Sequence, residues 1–388
     1  MPGTAHADAD GDELCDLVVQ YHALGAHRTG TDVDVATAAW MSHQLAERAC
    51  AVTRDQLEFP QWTCTSRLSC DGAPVEHLPV FYEWQGTIET DDVHVVDFDA
   101  ASGGLPGVVG PAAQHARDAG AAATILATAH PEGSLVAVNR NLASPVSGFP
   151  TVLVGGRELD RLRTGRVELT MTAGVEPGTT TNIVARNATA SRDQADRPLV
   201  LTTPMNGWFG CAGERGSGIA VLLHLVQRLA HLPLVVVATA GHELGYFGGN
   251  RWVDQTDTDP AAVVHVGASV AVEDRSLGRP GVLAATRLAM SNLGPDRAQP
   301  VAEALAHADL ALDAETTSWL GEGEAFVKLG APLLSFTGAG LDFHTPEDTP
   351  GRATSAASLA RVANAIGDAA DVMWRLLHQQ SSPQEDPS

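Results

Sequence analysis

Two short runs of branched aliphatic residues, LVLTT at 199–203 and PLVVVATA at 233–240, bracket a stretch in which apolar side chains recur at Ile219, Leu222, Leu223, Val226 and Leu229. The runs predict buried strands, and the helical recurrence predicts a helix between them. A strand-helix-strand unit of this length requires parallel strands, and ligands of open α/β sheets sit beyond the carboxyl ends of such strands. Glu214, His242 and Glu243 fall at those ends.

Upstream, the pattern predicts an amphipathic helix over 14–24 and then, through HRTGTDVDVATAAWMSHQLAERAC, a loop entering a second helix, this part packing on the sheet. From 85 to about 175 it changes to short strands, glycine-rich turns and one helix, PAAQHARDAGAAATILATA, ending in FPTVLVGGREL. TTTNIVARN then reads as a strand returning to the main body, and the acidic, proline-containing segment 381–388 reads as a disordered tail. The expected organisation is therefore a main domain built from 1–84 and 176–380, with a β-rich insert at 85–175.

A chain of 388 residues that is 44% apolar is long enough to bury a large core. Its 24 basic residues stand against 47 acidic ones, a formal charge of −23 that disfavours nucleic acid and anionic membrane as partners. A small-molecule or peptide-like substrate is expected instead. The five cysteines, Cys15, Cys50, Cys64, Cys70 and Cys211, form no C-x-x-C pair, so reduced thiols are expected. The first residues lack an apolar signal-like stretch and no run is long enough to span a bilayer, which gives a cytoplasmic location as the expectation.

Several segments, in order, resemble motifs of the co-catalytic zinc aminopeptidase and glutamate carboxypeptidase family, whose relatives include glutaminyl cyclase, nicastrin and transferrin receptor. HRTGT resembles the family's G-R-x-x-G loop, NIVA at 182–185 its N-V-x-G strand, and KLGAPLLSF the strand before its last ligand loop. The insert, with ARDAGAAATIL, is similar to the protease-associated domain carried by many members. The resemblance implies an α/β three-layer sandwich with a mixed, largely parallel sheet flanked by helices.

In that family an H-x-D pair, a bridging Asp, an E-E pair, a later carboxylate and a final His hold two adjacent metals. Here the H-x-D positions fall on Pro204 and Asn206, the bridging position on Glu214 in CAGERGSG, and the E-E pair on His242 and Glu243. The later carboxylate falls near Gly267, two residues after His265, while His344 in DFHTPEDT is retained. Proline has no donor atom for a metal. The resemblance thus implies at most one zinc, held by Glu214, Glu243 and His344 with an open position for water. His242 stands at the position of the carboxylate general base, a task open to imidazole near neutral pH.

Structural roles compete with each of these. Glu214 suits a helix N-terminus, His242 and Glu243 an ion pair, and HTPEDT a capping turn. Trp208 is either a core aromatic or an apolar wall for substrate, and Arg215 can pair with Glu214, bind a substrate carboxylate or meet solvent. Asn206 and His265 are further candidates for substrate contact, as are Glu322 and Glu324 in SWLGEGEAFVKLG, where a solvated acidic loop is the alternative. Three functions follow: a one-zinc hydrolase of amide or peptide bonds or related acyl-transfer enzyme, a metal-free acid-base enzyme such as a lyase, isomerase or cyclase, and a non-catalytic binding protein.

Overall fold

The computed structural model describes residues 8–97, 108–142, 146–188 and 197–379; the expected tail at 381–388 lies outside the described residues. Helices α1 (Gly11–Ala23) and α2 (Asp32–Glu47) come first, each started by a side chain that accepts backbone N–H groups. Asp10 caps α1 and Thr31 caps α2. A long strand β1 (Cys50–Cys70) follows, then the short β2 (Ala73–Pro74), β3 (His77–Pro79), β4 (Gly86–Thr90) and β5 (Val93–Asp97). Next come α3 (Val109–Asp118), β6 (Ala123–Thr128), β7 (Thr151–Gly155), α4 (Leu159–Thr164) and a second long strand, β8 (Val167–Asn187).

The chain then enters β9 (Leu199–Pro204), α5 (Ser217–Arg228), β10 (Leu234–Thr239), α6 (Phe247–Gln255) and β11 (Ala262–Val266). It closes through β12 (Leu288–Ser291), α7 (Pro295–Leu305), β13 (Leu312–Asp313), α8 (Gly323–Phe326), β14 (Leu333–Thr337) and α9 (Ala356–Gln379). The main sheet has the order β13-β12-β14-β11-β9-β10-β8-β1-β2, with β4 added on β8. Its centre, β14-β11-β9-β10, is parallel throughout, and the flanking pairs β12-β14, β10-β8 and β8-β1 are antiparallel. This is the mixed α/β sandwich expected from the sequence.

The central strands are buried along their whole length, which is why they read as continuous aliphatic runs and not as alternations. One face packs on α1, α5, α7 and α9 through Leu17, Leu222, Leu225, Val236, Val301 and Ile366. The other packs on α6 and α8 through Val235, Val263, Trp252 and Phe326. No helix among the described residues is long and apolar enough to cross a membrane, and all five cysteines are free.

A second sheet, β3-β7-β6-β5, forms with α3 and α4. The single helix expected over 111–129 is in fact a helix ending at Asp118 and a strand starting at Ala123. Gly120 turns the chain at φ 80°, and the fully buried ATILAT then pairs in parallel with both β5 and β7. The second sheet also recruits His77–Pro79, ahead of the expected boundary at 85. It packs against the outer halves of β1 and β8, where Leu68, Leu169 and Met171 meet Ile125, Val152 and Val154.

Candidate functional site

The carboxyl ends of β9, β10, β11 and β14 converge on a cluster of buried ionisable groups. After β10, Gly241 and Gly245 take φ of 71° and 79°, a region costly for other residues, and these turns wind 242–244 into a single turn that presents His242. Two buried amides hold that loop. Asn182 accepts from Ala240 N at 2.9 Å and donates to Gly248 O at 3.0 Å, while Asn206 accepts from Gly241 N at 3.0 Å. His344, Tyr246, Cys211, Phe209 and Ser269 all have positive φ without being glycine, so strained backbone gathers around this one region.

The His242 ring is fixed by Glu322, with Nδ1 2.7 Å from Oε2. The other carboxylate oxygen of Glu322 accepts from the Thr239 hydroxyl. Burial, reinforced by the positive charge of Arg215, pushes His242 well below the usual imidazole range, and burial pushes Glu322 above the usual carboxylate range. His265 lies within the field of Glu322, His242 and Arg215, with both ring nitrogens buried and unpartnered and its ring stacked near Phe326 at 5.7 Å between centroids. Burial lowers its pKa to about 4.

Arg215 and Glu214 form the second half of the cluster. Both side chains are 1% exposed or less, and Arg215 Nη2 lies 2.7 Å from Glu214 Oε1. Arg215 Nε donates to Asn206 O at 2.8 Å, which anchors the guanidinium from behind. His344 Nε2 approaches the same Glu214 oxygen at 3.2 Å, and its Nδ1 bonds to Ala137 O at 3.0 Å. Burial alone would raise the Glu214 pKa, but Arg215, His344 and His242 outweigh it and bring the group down to about 2.

Asp348, noted in the sequence only as a possible local cap, in fact reaches across to the turn before α5. Its two oxygens accept from Gly213 N at 2.7 Å and Glu214 N at 2.9 Å, which sets the angle at which Glu214 enters the site. Burial raises its pKa to about 7 against the pull of those two N–H groups. Asp34, visible in the sequence only as the start of a helix, accepts from Gly30 N, Thr180 Oγ1 and Asn206 Nδ2. Asp348 ends the HTPED run that matches the resembling family's H-T-x-x-D, so a signal for it was present in the sequence; Asp34 carried none.

The expected zinc set is not assembled. Glu214 and His344 meet, but Glu243 turns away, its Oε1 accepting from Thr29 N at 2.7 Å and its pKa raised to about 7 by burial. Among the described residues no group of three His, Cys, Asp or Glu side chains is arranged to hold a metal ion. The donor chemistry also opposes one. A divalent ion on Glu214 would sit beside the Arg215 guanidinium, and charges of two and one at about 4 Å repel by on the order of 8 kcal/mol at an effective dielectric of about 20. The residues present do not fit a zinc site.

Two candidate substrate contacts have other work, and a third faces solvent. Asn206 is fully buried, and its amide joins Gly241 N, His27 O and Asp34 Oδ1. Trp208 is buried, its Nε1 donating to Asn139 Oδ1 at 2.8 Å and its ring 4.5 Å from that of Phe81. Glu324 is exposed on α8, with Tyr246 within its field. Arg215, His265 and Glu322 remain in the cluster with His242.

The insert closes over this cluster. Besides the contacts of Ala137 and Asn139, Arg140 N donates to Glu243 O at 2.8 Å and His130 Nε2 bonds to Leu341 O at 2.8 Å. The crevice that still reaches Glu214, lined by Ser269, Val272, Asp342, Phe343 and Asp348, has a cavity volume of about 10 Å³. That is room for about one water and far below the roughly 300–1,000 Å³ of ligand pockets, so a ligand of that size requires the lining to move.

No family model matches the chain, and no curated protein matches it. Solved structures do. A zinc aminopeptidase from Bacillus subtilis has a TM-score of 0.72 and 16% identity, over 96% of this chain and 97% of that one. A peptidase M28 precursor from Shewanella amazonensis SB2B has a TM-score of 0.67 and 16% identity, over 97% and 98%. Glutaminyl cyclase from Porphyromonas gingivalis has a TM-score of 0.50 and 12% identity, over 94% and 99%. At these identities the likeness is one of fold.

Proposed function

We propose that this chain is a hydrolase, or a related acyl-transfer enzyme, acting on amide bonds of a small or peptide-like molecule, with His242 as the proton carrier. The observation that carries the reading is the 2.7 Å pairing of His242 Nδ1 with Glu322 Oε2 at the carboxyl end of a parallel strand. An imidazole that donates through Nδ1 to a carboxylate keeps Nε2 as an acceptor, and its orientation is fixed for proton transfer. Burial keeps the ring neutral, the state in which it can take a proton. Nε2 would take the proton of an attacking water or amine and return it to the leaving nitrogen, so the ring ends the cycle as it began. The solved structures of the same fold that are named as peptidases support the substrate class.

A non-catalytic binding role is favoured by a different observation, the near-complete burial of Glu214 and Arg215 under the docked insert. One experiment separates the two. The intact chain is screened against aminoacyl amides, acyl amides and short peptides, with His242→Ala as the paired variant. The enzyme reading expects turnover by the parent and a fall of about 10²–10⁴ in kcat for the variant, measured below the melting temperature of both, since loss of the ring leaves Glu322 buried without its partner. Absence of turnover by the parent across the panel, or full activity in His242→Ala, defeats it.

A further inference from the structure

We infer that the Arg215 guanidinium is the resident cation of this site, standing in for the metal that the donor set no longer accommodates, and that the chain works without zinc. Three features build the seat for it. Gly207 leaves room, since a Cβ there would lie 3.3 Å from Arg215 Cγ and 3.4 Å from Nε. The Asn206 carbonyl oxygen fixes Nε, and the Glu214 carboxylate fixes Nη2. Glu322, on the far side with His242, also lies within the field of the guanidinium, so the charge is shared between both halves of the cluster.

The sequence changes agree with this exchange. Pro204 and Asn206 supply no ligands where the resembling family has an H-x-D pair, and the residue that follows Glu214 supplies a permanent charge instead. Guanidinium does not lose its proton at any working pH, so such a charge cannot be chelated or titrated away. Arg215 Nη2 makes only its ion-pair contact with Glu214 Oε1, and Nη1 is buried with no hydrogen-bond partner among the described residues. Its N–H is therefore the donor free to meet a carbonyl or carboxylate oxygen of a ligand.

The inference concerns the cation alone, so a failed substrate screen leaves it standing, and bound zinc would defeat it without touching the role of His242. The intact chain is purified without chelator, its metal content measured by mass spectrometry, and its melting temperature followed with added zinc chloride and with EDTA. Substoichiometric zinc and no shift with either reagent are expected; about one zinc per chain, or a fall in melting temperature with EDTA, overturns the proposal. Arg215→Met leaves the buried Glu214 charge with only the His344 imidazole beside it and should lower the melting temperature, whereas Arg215→Met combined with Glu214→Gln should recover most of the loss. A single variant as stable as the parent overturns the proposal, as does a double variant no better than the single one. If the single variant does not fold, the metal content of the parent and the stability of the double variant still decide.

Discussion

Asn206→Asp restores a carboxylate at a position where the resembling family carries one, and in this chain it should be harmful in a pH-dependent way. Asn206 Nδ2 lies 2.9 Å from Asp34 Oδ1, and Asn206 Oδ1 accepts from Gly241 N. An aspartate keeps the second contact but turns the first into oxygen against oxygen. Two unit charges at that spacing repel by on the order of 5 kcal/mol at an effective dielectric of about 20, before relaxation. The pair escapes by sharing a proton, so its folded-state pKa rises above the unfolded carboxylate value. Asp34 is already raised by burial, and the Asn206 donor is one of three hydrogen bonds that pull it back down. A raised pKa means stability that is present below the unfolded value and lost as pH climbs through the folded one. The deficit should therefore grow from pH 5 to pH 8, reaching about 3–5 kcal/mol. With an unfolding entropy of about 2.1 cal/mol/K per residue, that is a drop of about 4–6 °C in melting temperature at pH 8. Thermal unfolding followed by circular dichroism at both pH values measures it, with Asn206→Ala as the uncharged control. A deficit in Asn206→Asp that is equal at the two pH values, or larger in acid, refutes the reasoning.

Two further outcomes follow from other buried groups. His27 is fully buried, its ring stacked on Tyr21 at 3.7 Å, and burial lowers its pKa to about 3. A depressed histidine contributes stability that is whole above pH 6.5 and drains away as pH falls, which amounts to about 2 kcal/mol at pH 5; urea unfolding at pH 7 and pH 5 should show the loss, and His27→Gln should remove that part of the slope. Trp208→Ala removes the ring that joins Phe81 and Asn139, so it should cost about 3–5 kcal/mol and accelerate proteolytic cleavage in the 129–142 loop. Unaltered cleavage would mean that the loop is held by its other contacts alone.

The elements that were legible in the sequence are those whose local pattern and tertiary burial agree. Leu199–Pro204 and Leu234–Thr239 are wholly buried and read as aliphatic runs, and Ser217–Arg228 kept its helical recurrence. The strand at Ala123–Thr128 was hidden because alanines on both sides of Gly120 continue a helix-like composition. At the site, sequence position brought Glu214, His242, His265, Glu322 and His344 into one neighbourhood but could not show the direction of a side chain. Glu243 turns to Thr29, 214 residues away, and Arg215 turns inward on Glu214. Both outcomes depend on contacts between distant segments. Asp348, though it ends an H-T-x-x-D run, showed nothing of its reach to Gly213 and Glu214, and Asp34 was missed because an acidic residue in the first turn of a helix carries no trace of its distant partners.

Strands β1 and β8 pair without interruption from Cys50 opposite Asn187 to Cys70 opposite Val167. At about 3.3 Å per residue this makes a beam of roughly 70 Å, rooted beside β10 at one end and carrying the smaller sheet at the other. The outer body is thus cantilevered from the inner one. Moving the outer body away from the cluster requires bending or twisting that beam, whereas the short 129–142 segment meets the main body through individual hydrogen bonds of His130, Ala137, Asn139 and Arg140. Stiffening the beam with a cross-strand disulfide at its outer end should then leave the release of the segment untouched.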